Sequence, residues 1–271
     1  MSNHLTEKEI VVDGIALTYK LAGDGRPLLI LHGWGSSSDA WVEVQGNLAR
    51  QGYRVCVPDL PGFGKSCPPP RPWGVGDYAR FVANVAHRLD MDGFFLVGHS
   101  FGGRIGIRLA TLHPERVLGL VLCASAGIKP KRTLKHRAFW ALAKGGHALL
   151  SLPLLNNLRE PARKGLYLLV GERDYYRAQG VMRETMKKVI EEDLKPDLGK
   201  IAVPTLIVWG DSDRVTPLSD AHIMKEEIPN AALEIVEGAG HRLPYEKPEI
   251  FAHLVLTFFV KLYGVQPQGC L

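Results

Sequence analysis

Long apolar runs are missing from this 271-residue chain. Its most apolar stretches, Gly119–Ala126 and Leu254–Val260, fall well short of the roughly 20 residues a membrane-spanning helix requires. The opening residues, MSNHLTEKEI, contain no apolar h-region, so no secretion signal is expected and the reading is a cytoplasmic protein. Cysteine is scarce as well. Cys56, Cys67, Cys123 and Cys270 form no CxxC pair, which argues against a disulfide scaffold or a thiolate metal site. There is no HExxH motif and no clustered Cys/His, so no metal is expected.

Two nucleotide-binding patterns also fail. Gly64-Lys65-Ser66 ends like a P-loop, but Asp59 stands where the first glycine belongs. Gly62-Phe63-Gly64 begins like a dinucleotide fingerprint, but Cys67 replaces its last glycine. The net charge is only +5, and its surplus is local. Between Lys129 and Lys164 there are nine Lys/Arg and a single acid, Glu160. That block reads as a solvated helical face, so neither a nucleic acid nor a membrane is expected as a partner.

The composition is that of a soluble globular protein, 46 % apolar and 23 % charged. Short apolar runs alternate with amphipathic stretches. Strands are expected at Ile15–Leu21, Leu28–Leu31, Tyr53–Val57, Phe94–Val97, Val117–Ala124, Pro204–Trp209 and Ala232–Val236. Helices are expected up to about Gln51 and over Asp77–Leu89, Phe101–Leu112, Leu218–Ile228 and Pro248–Leu262. This rhythm predicts an α/β protein, with a mostly parallel twisted sheet flanked by helices on both faces. From about Lys129 to Lys200 the pattern turns purely helical and is rich in Leu, Lys and Arg, which makes that block an insertion between two strands.

Gly98-His99-Ser100-Phe101-Gly102 fits G-x-S-x-G. The spacing alone is a weak signal. Its setting, directly between an expected strand and an expected helix, is what a nucleophile elbow needs. Such a turn exposes a serine hydroxyl at the strand's carboxyl end, over a helix N-terminus that favours developing negative charge. The backbone N–H of the next residue, Phe101, is then one oxyanion donor.

A serine hydroxyl needs a base. Among the ten histidines, His241 follows a strand in the Gly-rich run Glu237–His241, suited to a sharp loop over the sheet edge. His32 competes, although its place before Gly33 suits loop packing better. The base in turn needs a carboxylate, and both Asp211 and Asp213 follow the strand ending at Trp209. The order serine, acid, histidine along the chain is a further constraint that either acid satisfies.

The segments HGWG at 32–35, PDLPGFGKS at 58–66, GHSFGG at 98–103, WGDSDRVTP at 209–217 and GAGH at 238–241 together resemble the α/β-hydrolase superfamily, in its capped esterase and carbon–carbon hydrolase branch. The resemblance runs from about Ile10 to Leu262 outside the helical insertion. It implies an α/β-hydrolase core at 1–128 and 200–271, with a helical cap at 129–199 inserted after the sixth strand. It implies Ser100 as nucleophile, Asp213 rather than Asp211 as the acid, and His241 as base. The second oxyanion donor falls on the backbone N–H of Trp34. His32, Gly33, His99, Phe139, Trp140 and Val215 are candidate pocket residues.

The expected activity is hydrolysis of small to medium hydrophobic carboxylic esters, with water and without a cofactor, by a monomer or homodimer. A serine at position 100 departs from the dehalogenases and epoxide hydrolases of similar fold, which carry Asp there. Carbon–carbon hydrolysis of ring-cleavage diketones is the alternative. Those relatives tend to carry Asn before the serine and Trp after the histidine, where this chain has His99 and Arg242.

Overall fold

The computed structural model describes residues 5–129 and 179–263. Eight strands form one sheet: β1 (Thr6–Val12), β2 (Ile15–Ala22), β3 (Arg26–Leu31), β4 (Tyr53–Pro58), β5 (Phe94–His99), β6 (Val117–Cys123), β7 (Thr205–Gly210) and β8 (Ala231–Val236). Their spatial order is β1-β2-β4-β3-β5-β6-β7-β8. β1 and β2 pair antiparallel, β2 pairs antiparallel with β4, and every later pairing is parallel.

The helices are α1 (Val42–Arg50), α2 (Val75–Arg88), α3 (Phe101–Leu112), α4 (Gly180–Glu191), α5 (Lys195–Leu198), α6 (Leu218–Glu227), α7 (Leu243–Glu246) and α8 (Pro248–Tyr263). They cover both faces of the sheet, as β5 illustrates. Phe95 stacks on Phe259 of α8 with ring centroids 4.1 Å apart. Its neighbour Leu96 lies beside Gly106 of α3. Successive strand residues point to opposite faces, so α8 and α3 sandwich the strand. Every residue of β5 is buried, and so are Leu28–Leu31 of β3 and all of β7, which is why these strands read as unbroken apolar runs.

β1 has no counterpart among the expected strands. Its sequence TEKEIVV carries charge at three successive exposed positions, Glu7 to Glu9, which an edge strand can keep in water. α2 starts at Val75 rather than Asp77 because the Asp77 carboxylate reaches back to accept the Gly74 N–H at 2.9 Å.

Of the helical insertion expected over 129–199, residues 130–178 lie outside the described residues. The described part is tied to the rest by specific bonds. The Trp73 N–H donates to Thr185 Oγ1 at 3.1 Å. The Val75 N–H donates to Glu192 Oε2 at 3.1 Å, so Glu192 caps the start of α2. Arg104 of α3 donates to the Glu192 carbonyl at 2.8 Å, and Arg108 bridges Glu192 and Asp197. Among the described residues, no helix is long and apolar enough to cross a membrane.

Candidate active site

Parallel strands bring their carboxyl ends to one rim, and a site built there draws on loops far apart in the chain. Here four such ends matter: those of β3, β5, β7 and β8.

β5 ends at His99, and α3 begins at Phe101. Ser100 between them is held at φ 53°, ψ −108°. For a non-glycine residue this is a strained conformation, costing on the order of 1–3 kcal/mol. Its neighbours enforce it. The Ser100 N–H donates to the Cys123 carbonyl at 3.0 Å, and the Ser100 carbonyl accepts from Gly103 and Ala126, each at 3.1 Å. The turn is this tight because of two glycines. A Cβ on Gly98 would stand 2.5 Å from the Gly102 carbonyl oxygen, and a Cβ on Gly102 would collide with the carbonyl of Leu31. Phe101 opens α3, so its N–H is one of the donors a helix start leaves without an intrahelical partner.

The loop after β3 lies against this turn. A Cβ on Gly33 would come 3.4 Å from Ser100 Cβ and 3.0 Å from His99 Nδ1. Trp34 packs edge-on against Phe63 at 4.8 Å and Phe101 at 5.2 Å between ring centroids. These contacts fix the Trp34 loop beside the start of α3.

β7 leads into Asp213, whose side chain has no exposed surface. Asp213 Oδ1 accepts the N–H groups of Val215 at 2.7 Å and Thr216 at 3.0 Å. Oδ2 accepts the Thr216 hydroxyl at 2.8 Å and lies 2.9 Å from His241 Nδ1. Burial pushes the carboxyl's pKa up, but the bonds from His241, Val215 and Thr216 outweigh it and hold the group below its usual value. An ionised carboxylate can only accept, so Nδ1 of His241 carries a proton, and in the neutral ring the lone pair lies on Nε2.

Asp211 does something different. Its Oδ1 accepts the Gly238 N–H at 2.9 Å and the Ser212 hydroxyl at 3.0 Å. Of the two acids left open by chain position, Asp213 is therefore the one bonded to His241.

The histidine loop meets the serine turn through His99. Its ring lies 5.0 Å from that of His241, and its Nε2 is 2.8 Å from the His241 carbonyl. The rim thus carries Ser100 at the end of β5, and the bonded pair Asp213 and His241 in the loops after β7 and β8.

The candidate pocket residues divide. His32 is fully buried: its Nδ1–H donates to the Gly33 carbonyl at 2.8 Å, and its Nε2 accepts the Leu60 N–H at 2.9 Å. Burial holds its pKa down to about 4. With both nitrogens occupied it pins the loop. His99 is 3 % exposed and likewise bonded at both nitrogens. Gly33 sits against Ser100, as above. Val215 is 68 % exposed, so its side chain points to water while its N–H holds Asp213. Phe139 and Trp140 lie outside the described residues.

Sequence reasoning left Thr216 and Tyr245 without roles. Thr216 lies within the segment WGDSDRVTP, and the signal that could have found it is a hydroxyl three residues after the acid. Tyr245 carries no local signal at all. Among the described residues, no group of three His, Cys, Asp or Glu is placed to hold a metal ion.

Comparison with known proteins agrees with this architecture. The alpha/beta hydrolase family model matches residues 28–254. A 2-hydroxy-6-oxononadienedioate/2-hydroxy-6-oxononatrienedioate hydrolase of Burkholderia vietnamiensis is 30 % identical over 281 aligned positions, covering 92 % of this chain and 93 % of its own. A 2-hydroxy-6-oxo-6-(2'-aminophenyl)hexa-2,4-dienoic acid hydrolase of Metapseudomonas resinovorans is 29 % identical, covering 93 % of this chain and 90 % of its own. The crystal structure of a membrane phospholipase A, described as a bacterial virulence factor, superposes with a TM-score of 0.77 at 31 % identity, covering 96 % of this chain and 87 % of its own. With its eight-stranded sheet and its serine turn between β5 and α3, this chain belongs to the alpha/beta hydrolase family.

Proposed function

We propose that this hydrolase cleaves carboxylic esters of small to medium hydrophobic substrates through an acyl-enzyme. The observation that carries the reading is the 2.9 Å bond between the fully buried Asp213 carboxylate and His241 Nδ1, at the same rim as the strained Ser100. With Nδ1 protonated, His241 Nε2 is the base that takes the Ser100 proton as Oγ attacks the ester carbonyl. The N–H groups of Phe101 and Trp34 receive the developing oxyanion, each such donor contributing about 2.7–4 kcal/mol to the transition state.

The proton on His241 then passes to the leaving alcohol as the acyl-enzyme forms. A water, deprotonated by the same nitrogen, attacks the acyl carbon and releases the acid and Ser100. No cofactor enters these steps. The insertion at 129–199 is assigned as a cap that supplies walls for the substrate's apolar part. The described edge of that insertion supports this assignment, since Met182 of α4 sits against Gly62.

The relatives favour a second reading, carbon–carbon hydrolysis of a diketone, because two of them are by name hydrolases of 2-hydroxy-6-oxo unsaturated acids. His99 and Arg242 stand where such enzymes tend to carry Asn and Trp, so the ester reading is preferred. The phospholipase A relative, whose name denotes an acyl-ester hydrolase, points the same way. An assay of aryl esters of graded acyl length beside a vinylogous diketone tests the choice. Turnover of esters, abolished by Ser100→Ala, is expected; turnover of the diketone alone contradicts the ester reading.

A further inference from the structure

His99 occupies the last position of β5, directly before Ser100, and is almost completely buried. Both of its ring nitrogens are engaged, and the chemistry fixes which is the donor. Nε2 lies 2.8 Å from the His241 carbonyl, and a carbonyl oxygen can only accept. Nε2 therefore carries the proton. Nδ1 is left with its lone pair and accepts the Tyr245 hydroxyl at 3.2 Å. Burial, reinforced by the neighbouring His241 ring, pushes the pKa of His99 down to about 3, so this arrangement is kept neutral.

The loop it holds is also anchored from its own C-terminal side, where the Lys247 ammonium donates to the Glu237 carbonyl at 2.9 Å and the Leu243 N–H to the Gly240 carbonyl at 3.3 Å. Glu237–His241 contains Gly238 at φ 63° and Gly240, around which a Cβ would meet nothing within 4 Å. Between the two glycines only Ala239 is packed into the core, so hydrogen bonds largely locate this backbone. The Gly238 N–H reaches Asp211, and the Ala239 carbonyl accepts the Ser212 N–H at 3.0 Å. Both of those come from the β7 side. The bond from His99 comes instead from the strand that carries the nucleophile.

We propose that His99 is a positioning residue: it clamps the His241 carbonyl and the Tyr245 hydroxyl, four residues apart, and thereby sets where the His241 imidazole stands over Ser100. This rests on the serine-hydrolase reading above. Because His99 is covalently adjacent to Ser100, one side chain couples the placement of nucleophile and base. An apolar ring at 99 could fill the space but would leave a buried carbonyl unpaired and the loop free to shift.

The test compares His99→Phe with His99→Gln in the full chain. The glutamine amide N–H extends about as far as imidazole Nε2 and can donate to the same carbonyl. Three readouts are taken: kcat and KM on 4-nitrophenyl butyrate, the low-field proton resonance of His241 Nδ1–H, and the thermal midpoint. His99→Phe is expected to lower kcat about a hundredfold, the scale of a misplacement near 1 Å, with KM held within about threefold. Its low-field proton should broaden or vanish. His99→Gln should recover kcat to within about tenfold of the wild type and restore the resonance.

The proposal is overturned if His99→Phe keeps kcat within about threefold with a sharp resonance. It is equally overturned if the two variants, matched in thermal midpoint, lose activity alike. If the wild type turns over no ester, the ester reading fails by itself. The resonance then decides the positioning role: loss in His99→Phe with return in His99→Gln supports it, and retention in His99→Phe overturns it.

Discussion

Asp211 Oδ1 accepts the backbone N–H of Gly238 at 2.9 Å, so one of the two neighbouring acids holds the loop that carries His241 while the other, Asp213, holds its ring. The two carboxylates are two residues apart yet differ in what each must do. Asp211 only accepts hydrogen bonds, and an asparagine oxygen can accept the same ones. In the proposed mechanism Asp213 fixes the imidazole with Nδ1 protonated, and an amide there favours the wrong tautomer.

Asp213→Asn is therefore expected to lower kcat on a reactive aryl ester by about 10⁴, and Asp211→Asn by no more than about tenfold. Steady-state kinetics on both variants, with circular dichroism to verify folding, checks this. The reverse ranking contradicts the assignment.

The serine turn makes a second prediction, on stability. A methyl group on Gly102 would collide with the Leu31 carbonyl, and backbone on both sides leaves little room to yield. Gly102→Ala is expected to cost about 3 kcal/mol and to lower Tm by roughly 6–10 °C. Calorimetry measures it directly. An unchanged Tm would mean that α3 can move off β3.

A third prediction concerns acid. His32 and His99 are buried and neutral, with pKa values pushed to about 4 and about 3 by burial. Unfolding returns both to the ordinary histidine value near 6.5. Below that value the unfolded chain binds protons that the folded chain refuses, so stability falls as pH drops. The loss begins near pH 6.5 and continues to about pH 4 for His32 and about pH 3 for His99, amounting to about 3 kcal/mol for His32 alone. Urea midpoints should decline from pH 7 to pH 4.5, and less steeply in His32→Gln. A flat midpoint in the wild type contradicts this.

These cases also mark what could be read from the residues themselves. Phe94–Val97 was legible as the body of β5 because a central parallel strand is buried on both faces and leaves an unbroken apolar run. Gly98 and Gly102 were legible because close backbone approach leaves a trace in residue type. β1 was not, since an edge strand can carry charge on its exposed side without losing its pairing. His32 shows the limit for single residues: its two bonds, to Gly33 and to Leu60, depend on where the loop after β4 passes. Tyr245 touches His99, 146 positions earlier, and no local pattern encodes that contact. At Val215 the bond to Asp213 is made by the backbone N–H, which the residue type does not encode.

In the proposed mechanism Ser100 is a nucleophile activated through His241 and Asp213. The most direct measurement of that role is intact-mass analysis after treatment with an aryl organophosphate, followed by peptide mapping. One adduct per chain is expected, on the peptide containing Ser100, absent in Ser100→Ala and slowed by at least about 10³ in His241→Ala. An adduct on another residue, or equal labelling of Ser100→Ala, contradicts it.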